Sequence, residues 1–144
     1  MKNLLNKLLS TNPRNWSPVA LRLVLGLVMA AHGAQKLFGW FGGYGLQGTA
    51  GFFADKLGLT PGIFWATLAG SGEFFGGLLL ILGLATRFAA LNTAVVMLVA
   101  IITVHNSAFF MPAGMEFALS LLAMSVALVV SGGGALSADS KLTK

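Results

Sequence analysis

The chain has 144 residues, of which 56% are hydrophobic and 9% charged, with a mean hydropathy of +0.84. A soluble domain carries roughly a quarter of its residues as charges, so this composition excludes one and indicates an integral membrane protein. Nine Lys and Arg against four Asp and Glu give +5 with no basic stripe, which excludes nucleic-acid binding, and the absence of Cys excludes disulfides, thiol catalysis and thiolate metal sites.

Residues 1–16 read as an N-terminal tail carrying Lys2, Lys7 and Arg14. Long apolar runs follow at Ser17–Phe38, Pro61–Leu84, Arg87–Asn106 and Ala113–Ser131, each near the roughly 20 residues that a spanning helix requires. The first is too long for the apolar core of a signal peptide. Ser17-Pro18 and Thr60-Pro61 predict a cap followed by proline at the first helical position, and Pro112 opens the fourth run. Gly132-Gly133-Gly134 ends it, leaving 132–144 as a C-terminal tail. A bilayer admits only helices or closed barrels, and these runs lack the alternation of barrel strands, so residues 17–131 predict an all-α, four-helix integral membrane bundle.

Only the connection Gly39 to Thr60 is long. In it Leu46, Ala50, Phe53 and Leu57 recur at helical spacing beside polar Gln47, Asp55 and Lys56, which predicts a short amphipathic helix in the first external loop. Basic residues set the orientation. Lys2, Lys7, Arg14, Arg87, Lys141 and Lys144 fall on one side and only Lys36 and Lys56 on the other, so the positive-inside rule predicts cytoplasmic termini.

Ionisable residues within spans are costly and face the bundle interior, where they pair or mark a pathway. At about 100° per residue, His32 lies near about −80° and Lys36 near about −40° from Arg22, placing all three in one sector of the first span. Glu73 lies mid-span in AGSGEFFGG, where Gly72 and Gly76 form a small-xxx-small pair suited to close backbone approach. Aligning Phe38 with Pro61 sets Glu73 level with Gly26, about one turn from Arg22, and predicts an Arg22–Glu73 ion pair, serving either helix register or catalysis.

A second polar group gathers in the outer half: His32, Lys36, His105, Asn106 and Glu116. Lys36 and Glu116 are expected to neutralise each other, while the histidines donate hydrogen bonds or exchange protons with a ligand headgroup. Phe38, Trp40, Phe41, Phe52 and Phe53 either contact its ring or form an interfacial belt. The alternative is a metal site of His32, His105 and Glu116, with Met111 and Met115 favouring copper(I).

The order Arg22, His32-Gly33, Lys36, Glu73, Gly76-Gly77, Gly83 and Arg87, with the stretches HGAQKLFGWFGG and GSGEFFGGLLLILGLATR, resembles the DoxX family of small bacterial membrane proteins. The likeness runs from about Val19 to Val130. It implies a multi-pass protein of the bacterial cytoplasmic membrane, because members are associated with quinone-linked oxidoreductases and with oxidoreductase complexes of the oxidative-stress response. It makes quinone or quinol the leading ligand, held by His32, Lys36 and Glu73 with His105 or Glu116, and implies no covalent cofactor. No dinucleotide fingerprint or P-loop is present, so electrons come from a protein partner. Competing readings are a dimeric transporter with Glu73 as proton relay and a ligand-free scaffold for peripheral partners.

Overall fold

The computed structural model describes residues 9–110 and 114–142, and those residues are helical apart from short connections. In chain order they form α1 (Ser17–Phe38), a 3₁₀ turn (Trp40–Gly42), α2 (Gly45–Leu57), α3 (Gly62–Leu82), α4 (Thr86–Thr103), α5 (Glu116–Ser131) and α6 (Ala138–Leu142). Helices α1, α3, α4 and α5 are the four expected members of the bundle, and α2 is the short helix expected between the first two. Of the four, α1, α3 and α4 are long and apolar enough to cross a membrane. Helix α5 has 16 residues, about 24 Å at 1.5 Å per residue, and is short of the full hydrocarbon thickness.

The ends follow local chemistry. Pro18 sits in the first turn of α1, where its missing N–H leaves no orphan donor, and Asn15 Oδ1 accepts from the Ser17 N–H at 3.1 Å. Pro61 is the extended residue before α3, so that helix starts at Gly62. Gly83 takes φ 64°, a left-handed conformation that ends α3 and turns the chain into α4. Helix α4 stops at Thr103, short of Asn106, because the N–H groups of Val104 and His105 both donate to the Ala100 carbonyl and close the last turn. Helix α5 begins at Glu116. Pro112, expected to open it, and Met111 lie outside the described residues.

Helices α1 and α3 pack antiparallel along the most extensive contact of the bundle, and α4 with α5 along the next. Glycines set the first contact. A methyl on Gly26 would lie 2.7 Å from the Gly77 carbonyl oxygen, and one on Gly33 would overlap the Phe74 backbone. Gly72 and Gly76, expected to admit a neighbouring backbone, do something else: they face the side-chain amide of Asn92 on α4. The interior is built from Leu25, Met29, Leu80, Ala89, Ala90, Met97, Ala118, Leu121 and Leu128. Outside it, Leu27, Leu68, Leu82, Phe88, Leu91 and Val95 are exposed, a surface matched to lipid rather than water. Buried hydroxyls turn back on their own helices, Thr93 Oγ1 donating to Ala89 O at 3.1 Å and Ser125 Oγ to Leu121 O at 2.7 Å.

The segment after Ser131 is folded rather than trailing. Gly132–Ala135 are buried; the Gly134 N–H donates to Thr11 Oγ1 at 2.7 Å and the Ala135 N–H to Asn15 O at 2.8 Å. Asp139, 1% exposed, accepts from the backbone N–H groups of Ala85 and Thr86 at 2.7 and 2.9 Å and so caps α4 from a distant part of the chain. Arg87 donates to the carbonyls of Ser10, Val129 and Val130. The residues before α1, the α3–α4 turn and the segment after α5 therefore meet at one end of the bundle.

Candidate ligand cavity

Arg22 and Glu73 do not pair. Gly26 lies opposite Gly77 and Ile81, and Gly33 opposite Phe74, so Glu73 is level with Gly33 rather than with Gly26. The expected alignment was about two turns out of register. Arg22 instead lies level with Ile81, eight residues or roughly 12 Å along α3 from Glu73. There, at 2% exposure, it donates to five backbone carbonyls: Nε to Gly133 at 3.1 Å, Nη1 to Leu80 and Ile81 at 3.5 and 2.7 Å, and Nη2 to Ala135 and Leu136 at 3.1 and 2.8 Å. All five guanidinium N–H groups are satisfied, two of them by the electronegative end of α3.

Glu73 takes Lys36 as its partner, with Nζ and Oε2 2.5 Å apart. Among the described residues this is the one Lys or Arg pairing with a carboxylate that the structure specifies by distance. Helical side chains lean toward the N-terminus of their own helix, and this carries Lys36 from its turn down to the level of Glu73. Glu116, the expected partner of Lys36, begins α5, and the short Nζ contact goes to Glu73. The side chains of Lys36 and Glu73 are 27% and 4% exposed, so the acid is enclosed and the ammonium partly open.

What Lys36 opens onto is a cavity of about 1020 Å³ between α3 and α4. Lys36 and Gln35 of α1 and Thr49, Phe52 and Phe53 of α2 line it, and its other polar groups include Glu73, Asn92 and His105 beside Tyr44, Ser71 and Thr103. Apolar side chains make up most of the remaining lining, and Leu68, Phe75, Phe88, Val95 and Val99 at its edge are exposed toward the surroundings of the bundle. The cavity thus has an apolar mouth and a small polar floor, the form of a site for a flat or chain-bearing lipophilic molecule.

The structure brings Lys36, Glu73 and His105 to this cavity and leaves two other expected residues elsewhere. His32 is exposed, with its ring 6.3 Å from that of Phe117 on α5. The buried stripe of α1 runs through Pro18, Arg22, Leu25, Gly26, Met29 and Gly33, and the offset of about −80° sets His32 outside it. Glu116 at the start of α5 does not line the cavity. Among the described residues no three His, Cys, Asp or Glu side chains gather as metal ligands, so the His32, His105 and Glu116 set is not assembled; Met111 lies outside the described residues. Asn106 turns back to the Ile102 carbonyl at 2.8 Å. Phe52 and Phe53 line the cavity, whereas Phe38, Trp40 and Phe41 are exposed and stack on one another.

Two features escaped the reading of the sequence. His105 Nδ1 is buried without a hydrogen-bond partner at the cavity edge. Asn92 reaches from α4 to donate to the Gly72 carbonyl at 2.9 Å. The signal for Asn92 was an amide midway along an apolar span facing two glycines, and a search confined to ionisable groups passes over it.

The sequence model of the DoxX family matches residues 17–106, which include α1 through α4 and all three residues of the Lys36, Glu73 and Asn92 group. The chain is 35% identical over 119 residues to a Bacillus subtilis (strain 168) protein named "Putative oxidoreductase CatD", covering 83% of this chain and 81% of that one. It is 34% identical over 140 residues to the "Uncharacterized membrane protein Rv3486" of Mycobacterium tuberculosis (strain ATCC 25618 / H37Rv), covering 89% of this chain and 82% of that protein. No solved structure matches it. With more than half its length matched by the family's sequence model and its helices built as a membrane bundle, the chain belongs to the DoxX family.

Proposed function

We propose that this chain is a membrane subunit of an oxidoreductase system and that it binds a quinone or quinol in the cavity between α3 and α4. The observation that carries the reading is the junction of a roughly 1020 Å³ apolar cleft, edged by lipid-facing side chains, with one charged pair, Lys36 and Glu73, at its wall. Lys36 donates to a ligand oxygen. Glu73 pairs with the ammonium and aims it at the cavity. The oxidoreductase name of the Bacillus subtilis relative is in keeping with this role, and an electron donor from another subunit completes it, since a chain with no cysteine supplies no thiol couple.

The proposed setting is the bacterial cytoplasmic membrane, with Arg14, Arg87 and Lys141 at the cytoplasmic end of the bundle and Lys36 and Lys56 toward the other. The test is titration of purified protein in lipid nanodiscs with decylubiquinone. Saturable binding is expected, weakened tenfold or more by Lys36→Met and unchanged by His32→Ala, whose site lies outside the cavity. Folded wild-type protein that shows no saturable binding overturns the proposal and favours a scaffold without a ligand.

A further inference from the structure

Asn92 is a polar group of the cavity that neither the charge pattern nor the family resemblance singled out. Its assignment is fixed by chemistry: the atom 2.9 Å from the Gly72 carbonyl oxygen must be the donor, hence Nδ2. That nitrogen is seated on α3. Methyl groups on Gly72 and Gly76 would lie 3.2 and 3.1 Å from it, so the two glycines form a niche that any larger residue would fill. A methyl on Gly72 would lie 3.2 Å from Oδ1 as well, and among the described residues no hydrogen bond to Oδ1 is present. Asn92 lines the cavity together with Lys36 and Glu73. One of the two Nδ2–H groups anchors the amide on Gly72 O, the nitrogen sits in the Gly72–Gly76 niche, and Oδ1 is left as an acceptor on a cavity-lining residue.

We propose that Asn92 Oδ1 is a ligand-binding acceptor that makes the cavity prefer a molecule carrying a hydroxyl, and so, resting on the quinone reading above, the reduced quinol over the oxidised quinone. A quinone presents carbonyl oxygens, which accept and cannot donate. Its reduced form presents two O–H donors. Lys36 donates to an oxygen of either form and does not tell them apart; Asn92 Oδ1 makes a hydrogen bond with the quinol and faces a quinone carbonyl lone pair to lone pair. A neutral hydrogen bond of the ordinary net strength corresponds to about a five- to tenfold preference. The glycines belong to the same device, since Gly72→Ala would push on the amide and turn its oxygen away.

The experiment measures binding of decylubiquinone and, under anaerobic dithionite, of decylubiquinol to wild-type protein, Asn92→Ala and Gly72→Ala in nanodiscs, with thermal unfolding as the check on folding. The expected result is a wild-type preference for the quinol that Asn92→Ala reduces about five- to tenfold, leaving quinone affinity within about twofold, with Gly72→Ala changing it in the same direction. Equal wild-type affinity for both forms, untouched by Asn92→Ala, overturns the role of Asn92 and leaves the cavity reading standing. A loss by Asn92→Ala that is the same for both forms overturns the selectivity and assigns Asn92 to shaping the cavity. Wild-type protein that binds neither form overturns both proposals together.

Discussion

The bundle carries two cations on one helix and treats them in opposite ways. Arg22 is closed off at 2% exposure and spends every N–H on a backbone carbonyl. Lys36 has a single carboxylate partner and stands at the wall of a cavity. Guanidinium is a rigid fork of five donors and suits convergence of chain ends, whereas an ammonium is a point charge on a flexible stem that shares itself between a counter-ion and a ligand. The contrast separates a residue that holds the fold together from one available for chemistry, a distinction that burial of charge alone does not make.

Breaking the Arg22 end is expected to have the largest effect. Arg22→Leu strands the carbonyls of Ile81, Gly133, Ala135 and Leu136, while Leu80 keeps the Gly83 N–H; each buried acceptor left unmet costs about 1–3 kcal/mol before relaxation. The expected outcome is a loss above about 3 kcal/mol in unfolding from detergent micelles, or failure to obtain monodisperse protein. Arg22→Lys should not rescue it, because three donors radiating from one atom do not reach carbonyls on two segments. Wild-type stability in Arg22→Lys would show that charge, not the fork, is what this end requires.

The sequence made the helices legible because span length and hydropathy are one-dimensional properties. The short helix between the first two spans was legible from Leu46, Ala50, Phe53 and Leu57 in the same way. Partner choice was not. Arg22 was assigned to Glu73 by aligning helix ends, and the real register is set instead by where glycines let α1 and α3 touch, at Gly26, Gly33 and Gly77. An error of about two turns exchanges the partners. The segment 132–142 was invisible for another reason: a glycine run and a polar stretch look like a tail, and the acceptors that hold Arg22 are main-chain atoms, which every sequence contains and none advertises.

Breaking the Lys36 end sharpens the comparison, since stability and ligand binding should come apart there. Lys36→Met leaves Glu73 enclosed without a counter-ion. Removing one member of a fully buried pair costs about 3–5 kcal/mol, and the partial exposure of Lys36 scales this to about 1–2 kcal/mol. The double variant Lys36→Met with Glu73→Leu should recover most of that loss, because no charge is stranded, while quinone binding stays weakened tenfold or more. Thermal unfolding and decylubiquinone titration on the same four proteins make the measurement. Additive losses in the double variant would mean that the two side chains contribute independently and that the pair is not the organising feature of the cavity.

The smallest expected effect returns to the closed end and asks whether the segment after α5 belongs to the bundle. Asp139 accepts from Ala85 N–H with one oxygen and from Thr86 N–H with the other, so it does for α4 what an N-cap side chain does for an ordinary helix. Asp139→Ala removes both bonds and is expected to cost about 1–2 kcal/mol. Asp139→Asn keeps one acceptor and turns an amide donor toward the second N–H, so its loss should fall between wild type and Asp139→Ala. Both variants should bind decylubiquinone as wild type does, because the cavity lies on the other part of the bundle. If Asp139→Ala instead abolishes binding while unfolding at the wild-type temperature, the two ends are coupled, and the separation between a structural cation and a functional one no longer holds.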